Sequence, residues 1–273
     1  MTMPQPGMYA RPLGDLLKEW RLRRRLTQVD LACITEIPTK RLAAMENGRD
    51  VPTQDMLLRI AERLRVPLRE QNTMLLAAGM APIFQALDSQ QPGADGARQA
   101  INTVLATQEP NPACAIDRRW YVVAANRAFS AMIAGADPIL TKPPINFVRL
   151  TLHPAGIALR IANLGQWRAY LESRLRRRIE LRGDDFLSDL LEEIADYPTP
   201  PMRNDDPSVD GVYAGFAVPL RVETYAGTMS FLSTTTVFGT AVDILLSELT
   251  IESFLAADEG TKNILLRQAE PTN

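Results

Sequence analysis

The chain has 273 residues, is 46% hydrophobic and 23% charged, and carries a net charge of −2, values that exclude a disordered chain and leave room for two cored domains. With two cysteines and one histidine, it cannot close a four-ligand zinc site or spell a disulfide framework, so no metal is expected. No apolar run approaches the roughly 18 residues of a membrane span, and residues 1–10 lack the basic start and apolar core of a signal peptide; a cytoplasmic chain without a membrane partner is expected.

The charge is unevenly spread. Residues 1–80 hold 13 Lys and Arg against 9 Asp and Glu, and residues 81–273 hold 17 against 23. A basic unit is thus joined to a larger acidic one, and only the first suits a polyanion.

In chain order, Leu13, Leu16, Leu17 and Trp20 fall on one helical face, which predicts a first helix over residues 12–24. Thr27 offers a cap for a second helix to residue 35, with Leu31 and Ala32 facing inward. Pro38 or Thr39 opens a third helix that stops at Gly48. Thr53 caps a fourth with Leu57, Ile60, Ala61 and Leu64 buried, and a fifth runs from Pro67 to Gly79. The polar, turn-rich stretch "QALDSQQPGADG" places a linker at residues 81–97. Beyond it a helix (98–107) leads to two short strands (113–117 and 120–125) with Arg118 and Arg119 between them, then to a short helix capped by Asn126. Longer helices are predicted over 158–181 and 184–195. Strands follow over 212–222, 227–238 and 242–254, the first two joined by a turn at Tyr225–Gly227. The fold class is α+β: a five-helix all-α bundle over residues 11–80, then an antiparallel sheet with flanking helices over 98–262 and a tail over 263–273.

The segment "LTQVDLACITEIPTKRLAAMENGRDVP" carries the strongest chemical signal. A helix, a short turn at Glu36–Ile37 and a second helix opening with Thr39, Lys40 and Arg41 form a helix-turn-helix, whose second helix enters the major groove of double-stranded DNA. Lys or Arg donating to guanine O6 and N7 is worth roughly 1–3 kcal/mol of discrimination. Gln28 and the amides opening its helix are placed for a backbone phosphate. The arginines of "EWRLRRRLTQ", with Arg23 as the representative, are expected to meet phosphates without reading sequence. "LTQVDLA", "RLAAMENGRDVPT" and "LLRIAERLRVP" resemble the lambda-repressor-like, xenobiotic-response-element-type helix-turn-helix family over residues 11–79. The resemblance implies that Gln28, Thr39, Lys40, Arg41, Ala44 and Asn47 face DNA. Glu36 stands where that family has a turn glycine; if the position keeps φ > 0, Glu costs on the order of 1 kcal/mol there.

In the acidic module, "ACAIDRRWYVVAANRAF", "INFVRLTLHP", "QWRAYLESRLRR" and "VDILLSELTIESFLAADEGT" resemble the MmyB-like ligand-binding domain over residues 98–262. The resemblance implies a PAS-like sheet with an apolar pocket that in some members takes fatty-acid-like molecules. Trp120, Phe129, Met132, Phe147, Trp167, Phe216 and Phe231 supply large apolar or aromatic side chains for such a pocket or for the core. Arg149 and Asn126 are candidates for a polar end, with His153 third; a salt bridge from Arg149 to a carboxylate is the competing structural role. In "LESRLRRRIE", Leu171, Leu175 and Ile179 form a stripe that leaves Arg174, Arg176, Arg177 and Arg178 outside it, solvated or paired with the acidic "LEEIAD" helix or a subunit partner.

No nucleophile turn, phosphate-binding loop or dinucleotide fingerprint occurs, and a triad would have to be built on His153. The residues therefore point to a regulator and not an enzyme: a homodimer on DNA that needs no cofactor and senses a small apolar ligand such as a fatty acid. The alternative is an acidic module that serves only oligomerisation or protein interaction. A bound ligand in purified protein would separate the two.

Overall fold

The structure is a computed structural model that describes residues 11–84, 95–182, 184–198, 218–238 and 244–269. The described residues fall into two compact units, the N-terminal helices in one and the strands with most of the remaining helices in the other.

The first unit holds α1 (Leu13–Arg23), α2 (Gln28–Thr35), α3 (Thr39–Glu46), α4 (Gln54–Arg63) and α5 (Leu68–Ala77). Their boundaries follow the expected chemistry. Thr27 and Asp30 form a reciprocal capping box: the Asp30 amide donates to Thr27 Oγ1 at 3.1 Å and the Thr27 amide to Asp30 Oδ2 at 2.8 Å. Pro38 and Pro67 precede α3 and α5, and Thr53 accepts the Met56 amide at the start of α4. Leu17, Trp20, Leu31, Leu42, Met45, Ile60 and Met74 meet in one core. The approach of α1 to α3 requires Gly14, since a Cβ there would lie 2.4 Å from the Glu46 carbonyl oxygen.

The second unit contains α6 (Asp95–Thr107), β1 (Ala113–Ile116), β2 (Val122–Ala125), α7 (Arg127–Met132), α8 (Pro138–Thr141), α9 (Phe147–Leu152), a 3-10 turn (Ala158–Arg160), α10 (Leu164–Arg182), α11 (Asp185–Ala195), β3 (Leu220–Thr224), β4 (Gly227–Val237), β5 (Thr250–Ala256) and α13 (Glu259–Ala269); α12 (Ile244–Glu248), which follows β4 in the chain, falls as far as Ser247 in the first unit. The strands form one antiparallel sheet in the order β2-β1-β5-β4-β3. Its apolar side chains share a core with α7, α9, α10 and α11. This is the expected α+β class.

Three local expectations are corrected. The strand predicted over 242–254 opens, in its described part, as the helix α12, and pairing begins only at Thr250. "ILLSE" lacks a β-branched residue after Ile244, whereas Thr250 and Ile251 restore strand chemistry. The helix predicted from residue 158 is interrupted: Ile161 bridges to Val222 and the Ala162 amide donates to the Arg221 carbonyl at 2.9 Å, so α10 starts at Leu164. Trp120, predicted to open the second strand, sits instead in the turn at φ 68°. The helix α9 has no counterpart among the predicted elements, because Phe147, Val148, Leu150, Thr151 and Leu152 are all buried and show no polar face. Residues 212–217 of the predicted strand, with Phe216, lie outside the described residues.

Candidate functional site

The helix α3 is held by two side chains. Leu42 and Met45 are 2% and 1% exposed, while Lys40 and Asn47 are exposed and Thr39, Arg41 and Ala44 are half-buried along the outer side. Lys40 makes no ion pair among the described residues. The Arg41 guanidinium meets Asp50 at 2.8 Å in a solvent-accessible pair, a kind of contact that contributes little to stability. Asn47 Nδ2 donates to the Ala43 carbonyl at 2.7 Å.

Behind this helix lies a buried network that no local pattern in the sequence marks. Glu46 receives Arg21 Nε at 2.6 Å, an Arg21 terminal nitrogen at 2.9 Å and Gln28 Nε2 at 2.8 Å. Burial pushes the Glu46 carboxyl up, but the bonds from Arg21 and Gln28 and the guanidinium charge outweigh it and hold the group below the usual carboxylate range. Arg21 also donates to the Leu26 carbonyl at 2.8 Å. The network ties the end of α3 to α1 and to Gln28 at the start of α2, so three elements share one fixed geometry.

The arginine run divides accordingly. Arg21 is buried on Glu46, and Arg24 donates to the Leu64 and Arg65 carbonyls at 2.7 and 3.0 Å, closing the end of α4. Arg23 is half-buried, pairs with Glu19 and lies 5.2 Å over the Trp20 ring; Arg25 is exposed. The expectation that the run as a whole meets phosphates is therefore corrected. Two of its four members serve the bundle, since a guanidinium satisfies several acceptors at once.

In the second unit the aromatic candidates converge on the core. Trp120, Phe129, Phe147, Trp167 and Phe231 are each at most 1% exposed, and Phe147 stacks on Trp120 and Phe254 with centroids 6.0 Å away in both cases. The indole Nε1 atoms of Trp120 and Trp167 find no hydrogen-bond acceptor among the described residues. The Trp120 ring carries Arg174 and Arg178 at 4.8 and 4.6 Å. Arg174 leaves the expected solvated face to grip the buried Glu252 of β5 at 2.6 and 2.9 Å, and Thr235 Oγ1 donates to the same carboxylate. Its partner is thus a strand and not the "LEEIAD" helix.

The three polar candidates are taken by the fold. Asn126 Oδ1 accepts the amides of Phe129 and Ala113, both at 2.9 Å, and its Nδ2 donates to the Asn111 carbonyl at 2.8 Å. Arg149 meets Glu193 through Nε and a terminal nitrogen at 2.8 and 2.5 Å. That hydrogen bonding drives the Glu193 carboxyl below its usual range, which is the competing structural role. His153 Nδ1 accepts the Ala155 amide at 3.0 Å, and its ring stands perpendicular to that of Tyr197 with centroids 4.9 Å apart.

Met132 lines an open cavity. The space, about 650 Å³, lies between α7, the β3–β4 hairpin and α13. A second cavity of about 290 Å³ shares Ala128, Ala131, Leu265 and Gln268 with it and extends to Pro110. Arg160, Met229 and Leu265, absent from the sequence candidates, line the first. Residues far apart in the chain build this space, and no local motif marks them.

The family model of the MmyB-like transcription regulator ligand binding domain matches residues 97–267, and that of the helix-turn-helix matches residues 17–71. No curated protein matches the chain. Among the described residues no helix is long and apolar enough to cross a membrane.

Proposed function

The chain belongs to the family of the MmyB-like transcription regulator ligand binding domain and carries a helix-turn-helix before it, which makes it a DNA-binding transcription regulator with a ligand-binding domain; we propose that it binds a specific operator as a homodimer and responds to a small apolar ligand of the fatty-acid kind. Neither matched family is an enzyme family.

One observation carries the sequence-specific reading: α3 buries Leu42 and Met45 while it turns Lys40 and Asn47 outward. Thr39, Lys40, Arg41, Ala44 and Asn47 then meet base edges, and Gln28 and Arg23 meet phosphates. One such helix covers only a few base pairs, so a dimer reads two half-sites about 34 Å apart. For the second domain, the sheet order supports the PAS-like reading, and the cavity over Met132 supports a ligand. Its volume of about 650 Å³ falls in the range of small-molecule sites.

The test is selection of bound fragments from random duplex DNA, followed by titrations of the selected operator. Lys40→Ala and Arg41→Ala are expected to relax base preference by roughly 1–3 kcal/mol with the fold intact. Equal preference in wild type and both variants would remove α3 as the reading helix. Arg23→Ala should weaken binding to every sequence alike and lower the salt slope by about one unit.

A further inference from the structure

We infer that Asp50 is a positioning residue for sequence reading: its carboxylate holds the Arg41 guanidinium with both terminal nitrogens open to a guanine, and keeps that charge from the backbone phosphates. This rests on the reading that α3 enters the major groove. The chain's own turn chemistry brings the two residues together. At the end of α3 the Gly48 amide donates to the Met45 carbonyl at 3.1 Å and the Arg49 amide to the Ala44 carbonyl at 2.8 Å, the paired bonds of a Schellman turn. Gly48 takes φ 69°, the left-handed backbone that this reversal needs. Pro52 is buried just beyond and anchors the returning segment. Asp50 thereby stands beside Arg41, which lies in the first turn of α3.

One edge of the guanidinium makes the contact. Arg41 Nε donates to Asp50 Oδ2 at 2.8 Å, and neither terminal nitrogen donates to a described residue. A guanidinium presents its donors as a rigid planar fork, so the pair of nitrogens that matches guanine O6 and N7 stays available. The Arg41 and Asp50 side chains are 42% and 30% exposed, within reach of a duplex. The neighbouring cations differ. Lys40 and Arg49 are exposed and make no ion pair among the described residues, and such charges bind any phosphate they reach. Arg41 already has its counter-charge. Moving it to a phosphate breaks the bond to Asp50 and leaves a bare carboxylate beside a polyanion, whereas forking onto a guanine keeps that bond. Asp50 therefore weakens binding to DNA at large and favours the base that leaves Arg41 in place.

The experiment titrates the full chain, by fluorescence anisotropy over a range of salt, against three kinds of duplex: the operator selected by wild type, its single-base-pair variants and a random sequence. Arg41→Ala identifies the guanine that Arg41 reads. At that base pair Asp50→Ala should lower the preference for guanine about fivefold or more and leave the other base pairs within about twofold. Affinity for the random duplex should move the other way, rising about threefold at low salt with a salt slope steeper by about one unit, because Arg41 is released to a phosphate. A merely structural role would weaken every duplex alike. Asp50→Glu, which keeps the charge, should restore part of the guanine preference and serves if Asp50→Ala does not fold. In an Arg41→Ala background, Asp50→Ala should change base preference no further. If Arg41→Ala loses a guanine but Asp50→Ala keeps it, or random-duplex affinity fails to rise, the positioning role is refuted and Arg41 reads unaided. If Arg41→Ala loses preference at no guanine, the assignment of Arg41 as a reader falls and takes this inference with it.

Discussion

Glu36 occupies the left-handed region at φ 59° and ψ 32° as the C-cap of α2, with its side chain exposed. The turn between α2 and α3 demands that backbone whatever side chain stands there, and a Cβ pays for it in steric repulsion. Glu36→Gly is expected to raise stability by about 1 kcal/mol, less any entropy the unfolded chain regains; a urea midpoint at or below that of wild type would contradict it. The Arg174–Glu252 pair stands at the opposite extreme. The Glu252 side chain is 1% exposed and has Arg174 at 2.6 Å, so the two charges are tolerated only together. Glu252→Ala leaves a guanidinium against the Trp120 face with its main acceptor gone, and a loss of about 3–5 kcal/mol is expected in equilibrium unfolding. A loss below about 1 kcal/mol would mean that water reaches Arg174 once the carboxylate is removed.

Between elements, the placement of α3 and of the proposed reading surface depends on how closely α1 meets the end of α3. The Glu46 carbonyl oxygen lies 2.4 Å from where a Cβ on Gly14 would stand, and the Glu46 side chain binds Arg21 and Gln28 from the same place. Gly14→Ala must therefore push the helices apart. We expect a destabilisation of about 1–3 kcal/mol. Operator affinity should fall by more than the unfolded fraction explains, because Gln28 and α3 move relative to each other. Thermal melts and titrations on the same preparation check this, and an affinity loss wholly accounted for by unfolding would restrict Gly14 to stability. Much at this scale was legible in advance. The caps at Thr27, Thr53 and Asn126 were readable because capping is local chemistry. The break before α10 and the helix α12 were not, since a bridge from Ile161 to Val222 spans a sequence distance that no window covers.

For the whole molecule, a ligand can regulate DNA binding only if it favours one state over another, and the coupling is reciprocal. Whatever factor a fatty acid such as dodecanoate imposes on operator affinity, saturating operator must impose on the affinity for that acid. Paired titrations by fluorescence anisotropy and calorimetry should return equal factors within error. A ligand effect on DNA with no converse effect would place its cause outside this chain's binding equilibrium, in aggregation of the protein.

The sequence by itself determined the helix-turn-helix, the caps that open its helices and the α+β class. All of these rest on short-range periodicity, capping and charge, which a linear chain displays openly. Only the tertiary structure decided which arginine does what. A guanidinium has the same local signature whether it closes a helix, neutralises Glu46 or lines a cavity, and its role is set by acceptors delivered from elsewhere: Leu64 for Arg24, Glu252 for Arg174, the carbonyls of Ala134 and Glu223 for Arg160. The aromatic side chains share that ambiguity, because burial in a core and burial around a ligand call for the same residues, and only the space left beside them separates the two.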